Sequence, residues 1–158
     1  MNRVHLQMGQ IYYRFCDAKR FAADWERQAK GPWWMEAESF FEIQRFARAH
    51  AHIRSFAAQH GQSGLSYSTQ LHFAVPYEWG DCGCLVMARL VQRIDAWKGW
   101  GGTALLSDDP ARRDERDGGA KFIPLQKPEI YQLYIPEVWT HFGAAFEVID
   151  KGSAHKFA

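Results

Sequence analysis

Several features that would place a protein in a specialised class are scarce or missing in this 158-residue chain. It has three cysteines, an odd number and too few for a disulfide framework, which favours a reducing, cytoplasmic location. The longest apolar run, near residues 85–88, is far too short to span a membrane, and the first residues lack the apolar segment of a secretory signal. The net charge of +1 lacks the basic excess of a nucleic-acid binder. The sequence therefore predicts neither a membrane nor a nucleic acid as a partner.

Motifs of the common nucleotide, metal and hydrolase sites are also missing. The sequence contains no Walker loop and no GxGxxG, HExxH, GxSxG or EF-hand pattern. Cysteines and histidines suited to zinc are present, including Cys82, Cys84, His72 and His141, but their spacing matches no structural zinc module. We therefore predict no metal site and no firmly assigned cofactor.

What the chain does have is a globular composition with many aromatic side chains. Apolar residues make up 47% and charged residues 23%, and the aromatic residues are 7 Trp, 6 Tyr and 11 Phe. This length and composition predict one globular domain over residues 1–158, because two ordinary domains would need a longer chain.

The first half of the chain predicts a strand followed by a helical block. Residues 10–16 alternate as a strand, with Arg14 on a second face between Tyr12 and Cys16. Asp17 can cap a short helix, and residues 40–57 carry a long helical pattern that could break near His50. Residues 67–75 alternate apolar and polar side chains and predict a strand.

The second half predicts a mostly antiparallel sheet. Residues 82–98 fit either a helix, which periodicity slightly favours, or a strand buried on both faces. Residues 107–119 carry eight charges in thirteen residues and predict a solvated, mobile loop. Residues 129–135 and 142–149 predict two closing strands. The expected fold class is therefore α+β, with the N-terminal strand and helical block preceding the sheet.

Two short motifs resemble proteins of known function. The early strand Tyr12-Tyr13-Arg14-Phe15, and a late strand in which Gln132 precedes Ile135-Pro136, resemble the ADP-ribosyltransferase fold and its NAD glycohydrolase relatives. The resemblance implies that Arg14 binds the phosphates of NAD and that Gln132 takes the place of the catalytic acid or amide.

Three further residues join this hypothesis as contacts to the substrate NAD. Ser68-Thr69 loosely resembles the family's middle Ser-Thr-Ser motif, Tyr13 lies beside Arg14, and Trp33 could stack on nicotinamide at the mouth of a cleft. Ile130 stands where transferases carry a Glu, so NAD hydrolysis fits this chain better than transfer. The implied protein is cytoplasmic or toxin-like.

Two other classes of function stay open. Trp79-Gly80-Asp81-Cys82 and His141-Phe142-Gly143 resemble the Cys and His motifs of NlpC/P60-type hydrolases, in which Cys82 at a helix start would be the nucleophile and His141 its base. Alternatively, the domain is not catalytic, and its aromatic residues form a small-molecule pocket or a protein interface. The sequence does not determine the oligomeric state.

Overall fold

The computed structural model describes residues 1–102, 104–117, 121–125 and 130–158. Within these residues the chain is an α+β domain, as predicted. The strands are β1 (Asn2–His5), β2 (Ile11–Cys16), β3 (Trp33–Glu36), β4 (Cys84–Leu90), β5 (Asp95–Gly99), β6 (Ala104–Leu105), β7 (Lys121–Phe122), β8 (Gln132–Tyr134) and β9 (Phe146–Ser153). The helices are α1 (Ala18–Ala23), α2 (Trp25–Ala29), α3 (Ala37–Ala49), α4 (Ala51–Gln59), α5 (Gly64–Phe73) and α6 (Val138–Ala145), and a 3₁₀ turn follows at Ala154–Phe157.

Seven strands form one sheet in the order β1-β5-β8-β3-β2-β4-β9, and all of its described pairings are antiparallel. The central strand, β3, joins the two halves of this sheet. Trp33 and Trp34 pair with β8, whereas Met35 and Glu36 pair with β2. Each half of β3 is therefore paired on a different side.

Hydrophobic cores lie on both faces of the sheet. The first core contains Tyr12, Trp34 and Leu133 from the strands, with α1, α2 and α6 packed on that face. The second core contains Tyr13, Met35 and Leu85, with α3 and α5 packed on the other face. The alternation of β2 thus divides its side chains between two buried faces, and Arg14 lies on the first-core side between Tyr12 and Cys16.

The structure confirms most of the predicted N-terminal block. The strand at residues 10–16 forms as β2, and the Asp17 side chain caps α1 by accepting a hydrogen bond from the Arg20 backbone N–H. The long helical pattern breaks at His50, whose backbone is extended between α3 and α4. The break lies where the sequence predicted it.

The predicted strand at residues 67–75 is wrong, because these residues belong mainly to α5. The Ser63 side chain caps this helix by accepting from the Ser66 N–H, 3.0 Å away. Polar residues of α5, such as Gln70, are as deeply buried as the apolar ones. The helix therefore has no polar face, and its sequence resembles an alternating strand instead.

Of the two alternatives predicted for residues 82–98, the helix that periodicity slightly favoured is wrong and the strand buried on both faces is confirmed. The chain forms β4 and then β5 there, and Leu85, Val86, Ala88 and Leu90 are all 0% exposed. A strand covered on both faces needs apolar side chains at successive positions, and some of these positions also match the spacing of a helix.

The closing segment is a helix followed by a strand, not the single strand predicted at residues 142–149. Val138, Phe142 and Ala145 recur at helical spacing in α6 and are buried in the first core, and β9 begins at Phe146. The strand predicted at 129–135 forms in shorter form as β8, and residue 129 lies outside the described residues.

The charged segment predicted to be solvated and mobile is attached to the domain. The Asp117 carboxylate accepts hydrogen bonds from the backbone N–H groups of Tyr77 and Glu78, at 2.7 and 3.1 Å. The Glu78 carboxylate in turn accepts from the Ser107 N–H at 2.9 Å. Residues 118 and 119 of this segment lie outside the described residues. Among the described helices, none combines the length and apolar character needed to cross a membrane.

Candidate functional site

The sheet forks where β2 and β3 part. Pairing between these strands covers Tyr12 with Glu36 and Tyr13 with Met35, and goes no further. Beyond this point β2 continues along β4, whereas β3 continues along β8. A pocket of about 330 Å³ occupies the fork.

Both polar and aromatic side chains line this pocket. Its position in the fork lets residues from both faces of the sheet reach the same space. The polar lining residues are Arg14, Asp17, Arg20, Gln28, Thr69 and Gln132, and the aromatic ones are Phe15, Trp33, Trp34, Phe73 and Trp79. Trp33 and Trp79 are 43% and 50% exposed, so each offers ring surface to a ligand.

The backbone holds the guanidinium of Arg14 in place. Its Nε donates to the Gln28 carbonyl oxygen at 2.7 Å, and one terminal nitrogen donates to the Trp33 carbonyl oxygen at 3.0 Å. Gly31 gives it room, because a Cβ there would lie 2.0 Å from an Arg14 nitrogen. Within the described residues, no carboxylate forms an ion pair with Arg14. The pocket therefore contains a positioned positive charge with N–H donors remaining.

Two aspartates fix the pocket wall that carries Trp79. Asp17 accepts from the Asp81 N–H at 3.1 Å, and Asp81 accepts from the Ala18 N–H at 2.9 Å. Arg20 adds a hydrogen bond to the Trp79 carbonyl oxygen at 3.0 Å. These contacts tie the loop before β4 to the start of α1, so the wall is attached at several points.

Three of the predicted NAD contacts lie together, and two do not. Arg14, Trp33 and Gln132 all line the pocket in the fork. Tyr13 is buried in the second core with its ring stacked on Phe40, 4.1 Å between centroids. Ser68 is 0% exposed on α5, and neither it nor Tyr13 is among the pocket-lining residues.

The hydrolase hypothesis required Cys82 at the start of a helix, and this premise is wrong. Cys82 lies in an irregular segment before β4, with a left-handed backbone at φ 53°. Burial, with a further contribution from Asp81, raises the pKa of the Cys82 thiol, which opposes formation of a thiolate. His141 is exposed on α6, and no hydrogen bond described in the structure joins it to Cys82. Among all the residues that the structure describes, no three or more His, Cys, Asp or Glu side chains form a group that could hold a metal ion.

Sequence reasoning missed several residues that line the pocket. Asp17 was identified only as a helix cap, Trp79 only as part of a cysteine motif, and Phe73 only as part of the strand predicted at residues 67–75. Arg20 and Gln28 were not identified at all. One feature of the sequence could have indicated some of these residues. The Gly31-Pro32 pair ends the helical segment between β2 and β3, so the connection must fold back there and bring α2 beside Arg14.

Comparison with known proteins identified one structural likeness. No family model matches the chain, and no curated protein matches it. A solved structure described as "Rhs1-CT in complex with cognate immunity protein RhsI1" contains a chain similar to this one, with a TM-score of 0.44 and 16% identity. The match covers 96% of this chain and 80% of that chain. The function of this chain must therefore be argued from its own residues.

Proposed function

We propose that the pocket in the fork binds NAD and that the protein hydrolyses the bond between nicotinamide and ribose. In this proposal Arg14 binds a phosphate, Trp33 stacks on the nicotinamide ring, and Gln132 hydrogen-bonds a ribose hydroxyl. The observation that carries the proposal is that these three side chains, from three different strands, line one pocket. Two of them, Arg14 and Gln132, are 118 positions apart in the numbered sequence, so only the fold unites them.

Charge and size support a nucleotide as the ligand. Arg14 has no acidic partner within the described residues, and guanidinium groups bind phosphate through paired, charge-assisted hydrogen bonds. A volume of about 330 Å³ lies at the lower end of small-molecule sites. The pocket is therefore suited to the mononucleotide half of NAD that carries nicotinamide.

Hydrolysis would break the nicotinamide–ribose bond and add water to the ribose. The products are nicotinamide, ADP-ribose and one proton. Gln132 cannot take that proton, so its role is to orient the ribose while positive charge develops on the sugar. Arg14 would hold the phosphate fixed during this step.

NAD binding without turnover is the second candidate, and the state of Asp17 favours it. Asp17 is the acidic residue of the described pocket lining, and its oxygens accept from the N–H groups of Arg20 and Asp81, at 3.2 and 3.1 Å. A carboxylate with both oxygens engaged is poorly placed to act as a general base. Measuring turnover separates the two candidates.

The test combines calorimetric titration of NAD with chromatographic detection of released nicotinamide. Arg14→Lys keeps the charge but loses the planar fork of donors, so we expect at least tenfold weaker NAD binding, about 1.4 kcal/mol. Gln132→Leu should abolish nicotinamide release with a smaller loss of affinity. Arg93→Lys and Gln92→Leu, both exposed and outside the pocket, are the matched controls. Binding without release would select the second candidate, and absence of any binding to the folded protein would reject both.

A further inference from the structure

One face of the sheet beside the pocket carries exposed aromatic side chains in register. Trp33 on β3 pairs with Tyr134 on β8, and Tyr134 pairs with Trp97 on β5. Side chains of directly paired residues point to the same face, so these three side chains form one line across three strands. We call this line the aromatic row.

The two tryptophans of the aromatic row are exposed and Tyr134 is half-buried, in contrast to the other face of the same strands. Trp33 and Trp97 are 43% and 42% exposed, and the Trp33 and Tyr134 rings lie 4.8 Å apart at 45°. On the opposite face, Leu133 and Ala96 are buried in the first core. Large aromatic side chains exposed in a line are informative, because isolated exposed residues are common but contiguous ones indicate a binding surface.

The row is continuous with the pocket. Trp33 belongs to both, and Gln132, which also lines the pocket, is two residues before Tyr134 and so points to the same face. The row extends from the pocket across two strand spacings of about 4.8 Å each, or about 10 Å in total. A ligand with one end in the pocket can therefore lay its other end along the row.

We infer that the aromatic row binds the adenosine half of NAD, which makes the site selective for dinucleotides over mononucleotides. This inference rests on the proposed function. The pocket has room for one nucleotide, and the row supplies flat ring surface where the second base would lie. Stacking suits an adenine because it needs no hydrogen-bonding edge, and each stacked base contributes about 1–3 kcal/mol when the aromatic partner is removed.

The experiment compares NAD with nicotinamide mononucleotide in calorimetric titrations of the full chain. We expect NAD to bind at least fivefold more tightly than the mononucleotide. Trp97→Leu, which keeps an apolar side chain and removes the ring, should erase that difference without weakening mononucleotide binding. Trp97→Phe should preserve most of it. Trp139→Leu is the matched control, because Trp139 is 56% exposed on α6 and lies outside the row.

The possible outcomes distinguish a failure of this inference from a failure of the proposed function. If both ligands bind equally, or if Trp97→Leu leaves the preference for NAD unchanged in a folded protein, the row has no role and the pocket proposal survives. If neither ligand binds the wild-type protein, the proposed function fails, and the inference fails with it. Circular dichroism of each variant establishes that the protein is folded.

Discussion

Strands β4 and β5 lie in one sheet but have opposite relations to solvent. In β4, Leu85 faces the second core and Val86 the first, and both are 0% exposed. In β5, Ala96 is buried in the first core, whereas its neighbour Trp97 is 42% exposed. The sheet is thus closed on both faces at β4 and open on one face at β5. The pocket lies between these regions, where a rigid strand can hold Arg14 and an open face can admit a ligand.

The largest difference in stability is expected when one side chain in each of these two strands is truncated to alanine. Leu85→Ala should lower the free energy of unfolding by about 3 kcal/mol, because the surrounding core cannot collapse into the space left by the removed atoms. Trp97→Ala should lower it by less, about 1 kcal/mol, because Trp97 is 42% exposed and its truncation leaves no enclosed cavity. Urea denaturation followed by circular dichroism measures both. Equal losses would mean that the two strands are equally buried in solution.

A second prediction concerns the buried polar network that supports the closed side of the pocket. Gln70 is 0% exposed, accepts from Gln62 at 2.7 Å, and donates to the carbonyl oxygens of Val75 and Gly80 at 3.2 and 3.1 Å. Gln70→Leu removes the donor to the Val75 and Gly80 carbonyl oxygens, whereas Gln62 keeps Ser66 and Asp81 as acceptors. We therefore expect a loss of about 2 kcal/mol.

The control for the network is Gln92→Leu, the same change at an exposed position, which should alter stability by less than about 0.5 kcal/mol. Urea denaturation of both variants provides the measurement. A Gln70→Leu protein as stable as the wild type would show that water satisfies the two carbonyl oxygens that lose Gln70.

The same contrast explains which elements could be predicted from sequence. β2 was predictable because its alternation is unbroken and the Asp17 cap follows it directly. β4 was ambiguous because a strand buried on both faces has no polar positions to reveal its period. α5 was mistaken for a strand because polar residues such as Gln70 are buried, with hydrogen bonds to Gln62, Val75 and Gly80 outside the helix, which hydrophobic patterning cannot detect.

A residue of the candidate site could be predicted only where both its side-chain type and its place in the sequence pattern were unusual. Arg14 was found because a lone guanidinium within an apolar strand is conspicuous. Gln28 was missed because its contribution is a backbone carbonyl oxygen, which every residue possesses. The fork itself depends on where pairing between β2 and β3 stops, and this is a property of the whole sheet rather than of any segment.

A third prediction tests the boundary between the closed and open regions. In Gly31→Ala the new methyl group would overlap the Arg14 guanidinium, whose nitrogen is 2.0 Å from the ideal Cβ position. The guanidinium ends a flexible side chain, so it can move away at little expense in stability. We expect at least tenfold weaker NAD binding by calorimetry, with a change of less than about 1 kcal/mol in unfolding.

Gly143→Ala is its control, since a Cβ at Gly143 meets nothing within 4 Å. This substitution in α6 should leave NAD binding unchanged. Unaltered NAD affinity in Gly31→Ala would show that the position of Arg14 does not govern binding.

The smallest effect is expected at the solvated edge of the open region, where Asp95 pairs with His5 and Arg3. Hydrogen bonds from His5 first, and from Arg3 second, lower the pKa of Asp95 below its ordinary value. Because the folded-state pKa is the lower one, the carboxylate contributes stability above its unfolded pKa of about 3.9, and this contribution is lost as the pH falls through the folded value. Wild-type protein should therefore melt at a slightly higher temperature than Asp95→Asn at pH 7, and this gap in melting temperature should close on acidification below about pH 4.

Asp108→Asn, a substitution at an exposed position of the charged segment, is the control for general charge effects. A gap that persists unchanged at pH 2 would show that Asp95 stabilises this edge by some means other than its charge.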